Sequence, residues 1–146
     1  MTVVDSIENL LIPDYYTSSL GVLAPIELLL MKKKAFARYV LVVKSLSDIS
    51  DLASEIAEVR SQIRKHTNAL WMVREVGAYV VFRVDKLPKL ERADIEVDKT
   101  GFHAVIIQGV HFISASGQHL FNHSKWLNHT FGGAVGIAER IESIET

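Results

Sequence analysis

Apolar positions in residues 47–66 (SDISDLASEIAEVRSQIRKH) recur at the step of a helix: Ile49, Leu52, Ile56, Val59 and Ile63 are three, four, three and four residues apart and draw one seam. Ser47 and Ser50 are candidate N-caps, since a hydroxyl there accepts a backbone N–H that has no helical partner. Asp48, Asp51, Glu55 and Glu58 fill the first half, while Arg60, Arg64, Lys65 and His66 fill the second. That order suits the helix dipole. Strand-like runs flank this helix. Residues 39–43 are apolar and rich in β-branched side chains, as expected of a central strand covered on both faces, and a second run lies near 69–76. If those two pair in parallel, the unit is β-α-β.

Gly77-Ala78 between apolar runs predicts a two-residue hairpin with glycine at the position needing positive φ. That turn sets Glu75/Val80, Val73/Phe82 and Trp71/Val84 on one face, to pack under the long helix. The other face mixes Arg74, Tyr79, Arg83 and Asp85 with Leu70, Met72 and Val81. Residues 102–116 return to strand character, with Gly109 either bulging one long strand or turning a hairpin between two short ones. Helical spacing is read at 3–12, at 25–36 (PIELLLMKKKAF, proline in its first turn), at 118–130 after a break at Gly117, and at 134–144.

These elements predict an α+β fold: one domain over 1–146, with a helical segment at 1–34, a sheet core at 36–116 and C-terminal helices over 118–146. The sheet is expected to be single, mixed or antiparallel, of four to five strands around a β-α-β-β core, with the long amphipathic helix on one face. The element order permits a ferredoxin-like core with helices added at both ends.

Composition narrows the function classes. At 146 residues with 49% hydrophobic and 23% charged residues, the chain is long enough to bury a sizeable core and is not of the disordered type. Sixteen basic against seventeen acidic residues give a net charge of −1, so there is no broad basic field and no nucleic-acid partner is expected. The absence of cysteine excludes disulfides, thiol nucleophiles and thiolate metal sites, and agrees with a cytoplasmic location. The opening carries Asp5 and Glu8 ahead of the first basic residue, Lys32, unlike a signal peptide. The most apolar run, 20–31, is interrupted by Pro25 and Glu27 and falls short of the ~20 residues a membrane span needs, so no stable membrane association is expected.

Candidate chemistry gathers late in the chain. No Asp or Glu occurs between Lys99 and Ala138, and five of the six histidines (His103, His111, His119, His123 and His129) fall there. Imidazole titrates near neutrality, so this stretch gains positive charge as pH falls. On a helix, His119 and His123 share a face, a weak metal pair that lacks the glutamate of HExxH and a third ligand. No metal or cofactor is therefore assigned. Two functions remain. The first is a non-enzymatic binding protein that recognises a protein partner or itself, as a homo-oligomer, through apolar surface. The alternative is an enzyme or sensor of a small anionic, phosphate-bearing ligand, with His111, His119, His123 and Lys125 joined by Arg74, Tyr79 and Arg83.

Overall fold

The structure, a computed structural model, describes residues 17–18, 26–34, 37–46, 51–67, 76–95, 97–98 and 104–123. Among these residues six strands, where four to five were expected, form one mixed sheet: β1 (Thr17–Ser18), β2 (Ile26–Lys34), β3 (Ala37–Ser45), β4 (Val76–Val84), β5 (Val105–Ser114) and β6 (His119–His123), laid side by side in chain order. The central three, β3, β4 and β5, run parallel; the outer pairings β1/β2, β2/β3 and β5/β6 are antiparallel. Helix α1 (Leu52–Thr67) crosses between β3 and β4. Because β3 and β4 pair directly, the unit is a simple β-α-β and not the split form of a ferredoxin-like core.

The apolar seam puts Ile56, Val59 and Ile63 of α1 against one face of the sheet, in a core with Val40 and Val42 of β3, Val80, Phe82 and Val84 of β4, and Val110 and Phe112 of β5. Phe82 and Phe112 stack with ring centroids 5.5 Å apart. The far-face residues Leu41, Val43, Tyr79 and Val81 are also buried, so the parallel centre of the sheet is covered on both sides. The cap of α1 is Asp51, whose Oδ1 accepts from the Ser54 amide at 3.1 Å; Ser47 and Ser50 lie outside the described residues.

Three expectations change and one open alternative closes. Ile26–Lys34, read as helix, is a strand. It turns back on β3 in a register that pairs Lys34 with Ala37, and a short apolar run carries no period that separates a buried strand from a helix. Gly77 and Ala78 lie inside β4 and form no hairpin turn. A Cβ there would sit 3.0 Å from Gln108 Oε1, a tight contact that the glycine avoids. Residues 105–114 form one strand, and the register shift at Ala78/Tyr79 makes Gln108 the extra residue of a bulge. His119–His123, read as helix, is β6. It follows a tight turn in which Gly117 adopts φ 87° and donates to the Ser114 carbonyl at 3.0 Å. The readings at 3–12, 69–75 and 124–144 fall outside the described residues. Among those described, no helix is long and apolar enough to cross a membrane.

Candidate functional site

Sheet register decides which candidate side chains share a surface. Tyr79 pairs with Gly109, and Gly109 with His123; Val81 pairs with His111, and His111 with Phe121; Arg83 pairs with Ile113, and Ile113 with His119. These three rows lie on the face away from α1, because the intervening residues Val80, Phe82, Val110 and Phe112 belong to the core under the helix. Four sequence candidates, Tyr79, Arg83, His111 and His119, thus occupy one face of three adjacent strands, and His123 takes the register position beside Gly109. Arg74 and Lys125 lie outside the described residues.

The middle of this face is closed and polar. His111 is 1% exposed and stacks on Phe121 with ring centroids 5.5 Å apart. Tyr79 donates its hydroxyl proton to Gln108 Oε1 at 2.7 Å, and both side chains are buried. The bulge makes that bond possible by returning Gln108 and Gly109 to the same face in succession. Arg83 and His119 flank Ile113 and are half-buried, at the end where β4 and β5 finish. The Ser114 hydroxyl accepts from the Gln118 amide at 3.0 Å and shares a hydrogen with the Ser116 hydroxyl at 3.0 Å, which fixes the turn beside them. No acidic residue occupies a far-face register position on β3 to β6.

The metal pair does not survive the change of secondary structure. Four residues along a strand separate His119 from His123 by ~13 Å, too far for one ion, where a helix would bring them within about 6 Å. Among the described residues, no group of three or more His, Asp or Glu side chains is placed to hold a metal.

The helix side carries a second constellation that no spacing announced. A cavity of about 430 Å³ lies among α1, the 3-10 turn Arg92–Asp94 with the chain after it, β5 and β6; Ile56, Arg60, Ile95, Asp98, Ile107 and Asn122 are among its walls. Arg60 Nη1 donates to Asp98 Oδ2 at 2.8 Å and to the Val105 carbonyl at 2.7 Å, and Nη2 donates to Asp98 Oδ1 at 2.8 Å. Asp98 Oδ2 also accepts from the Ile107 amide at 2.7 Å. One signal for Arg60 was present in the chain. It stands four residues after Ile56 and three before Ile63, on the flank of the apolar seam, where a guanidinium needs an acceptor. Comparison with family models, curated proteins and solved structures finds no match to this chain.

Proposed function

We propose that the protein binds a small phosphate-bearing ligand at the carboxyl ends of β4 and β5, with Arg83 and His119 as its direct contacts. The observation that carries this reading is the gathering of Tyr79, Arg83, His111 and His119 on one sheet face whose register positions hold no acid. A guanidinium offers paired donors to a phosphate, and an imidazole adds a donor and, when protonated, a charge. The end of a parallel sheet is where open α/β folds receive ligands. His111, buried against Phe121, and the Tyr79–Gln108 bond stiffen the sheet behind those contacts. Recognition of a protein partner or self-association through apolar surface is the less favoured reading. Among the described residues, Leu90, 37% exposed, is the large hydrophobic side chain that faces solvent.

Calorimetric titration of the full chain with pyrophosphate and with adenosine monophosphate tests the proposal. Saturable binding is expected, with a loss of about tenfold or more for Arg83→Gln and for His119→Gln, as for one charge-assisted hydrogen bond. Absence of binding to both probes, or variants that bind as the parent does, removes it.

A further inference from the structure

The cavity beneath α1 is independent of that face, on the other side of the sheet, and its polar groups have a one-sided balance. We infer that it is a second site, which takes a small apolar molecule carrying a protonated amine. Both terminal nitrogens of Arg60 are turned to Asp98 and the Val105 carbonyl, and Asn122 Nδ2 donates to the Ile95 carbonyl at 2.9 Å. Two acceptors stay open to a ligand. Asn122 keeps its Oδ1, and the Asp94 carboxylate, exposed on the cavity wall, takes no hydrogen bond from the described residues. Among the described lining residues, one arginine against two aspartates leaves an excess of negative charge. Ile56, Ile95, Val97 and Ile107 supply apolar wall behind those acceptors. At about 430 Å³ the space is of the size that small-ligand pockets have.

The complement of such a site is an apolar body that ends in a compact cation with several N–H donors. A carboxylate of the same shape meets repulsion from Asp94, and an alcohol forfeits the charge interaction. Because the lining acceptor is at the surface, the cation keeps part of its hydration while the apolar body fills the interior.

Titration of the full chain with phenethylamine, 2-phenylethanol and phenylacetate, in low salt and followed by calorimetry, tests the inference. Phenethylamine is expected to saturate, the alcohol to bind at least about fivefold more weakly, and the carboxylate not to bind. Asp94→Asn, an exposed isosteric change, is expected to bring the amine down to the level of the alcohol with an unchanged urea midpoint. Ala93→Trp, at an exposed wall position, is expected to abolish amine binding by filling the space. The inference is overturned if phenethylamine does not saturate, if the three probes bind alike, or if either variant keeps the parent affinity for the amine.

Discussion

Arg60 and Asp98, 38 residues apart in sequence, meet fork to fork, with Nη1–Oδ2 and Nη2–Oδ1 both at 2.8 Å. The contact fastens the outer flank of α1 to the chain that enters β5. Parallel neighbours need a crossover, and between β4 and β5 the described crossover holds only a 3-10 turn, Arg92–Asp94, followed by the buried Ile95. A short apolar anchor and a charge clamp together do what a packed helix does between β3 and β4.

Removing Asp98 leaves two guanidinium bonds and the Ile107 amide without their acceptor in a part-buried setting. Asp98→Ala is expected to lower stability by about 2–4 kcal/mol in urea unfolding, and Arg60→Lys, which keeps the charge but not the fork, by about 1 kcal/mol. An Asp98→Ala protein that unfolds at the parent urea concentration would show the clamp to be ornamental.

Lys44 of β3 points under α1, where it is 5% exposed and its Nζ lies 2.8 Å from Glu55 and 3.6 Å from Glu58. Lys44→Met should destabilise by about 1–3 kcal/mol, because Glu55 is left facing apolar surface; adding Glu55→Leu should restore most of the loss. Strictly additive losses in the double variant would contradict this account.

Gly77 and Gln108 share one small volume. A methyl group on residue 77 would meet Gln108 Oε1, Cδ and Nε2 at 3.0, 3.1 and 3.2 Å, and the bond from Tyr79 resists the shift of Gln108 that would relieve it. Gly77→Ala is therefore expected to cost about 1–3 kcal/mol. In the Gly77→Ala, Gln108→Ala double variant the loss should fall short of the sum by at least about 0.5 kcal/mol, as a double-mutant cycle in urea would measure. Simple additivity would show that the two do not compete for space.

At the β5–β6 turn, Gly117 holds φ 87°, a conformation most side chains resist. Gly117→Ala should cost about 1–2 kcal/mol, with Gly117→Asn clearly milder because asparagine tolerates that region. Equal thermal midpoints for the parent and the alanine variant would rule the constraint out.

Much of the central architecture was legible in the residues. The seam of α1, the fully buried run in β3, the division of β4 into Val80, Phe82 and Val84 under the helix and Tyr79, Val81 and Arg83 away from it, and the break at Gly117 all follow from side-chain period and turn chemistry. The errors have physical sources. Ile26–Lys34 has no clean period, so only pairing with β3 distinguishes its two states. His119 and His123 are four apart, a spacing that puts two residues on the same side of a helix and of a strand alike. The shared face was readable there, but the separation was not. At Gly77 the turn pattern points to backbone freedom, whereas the folded strand uses the glycine for its lack of bulk. Arg60 and Asp98 are joined only by the folded crossover, and a contact over such a span leaves no local pattern.

The strict chain order of the sheet bears on how the molecule is made. Each strand's first neighbour is already present when that strand leaves the ribosome, so a nascent chain emerging at ~5–20 residues per second can add strands to a single advancing border without threading one between two already joined. The slowest addition is expected at β4, which has to wait for all of α1 to emerge before it reaches its place beside β3.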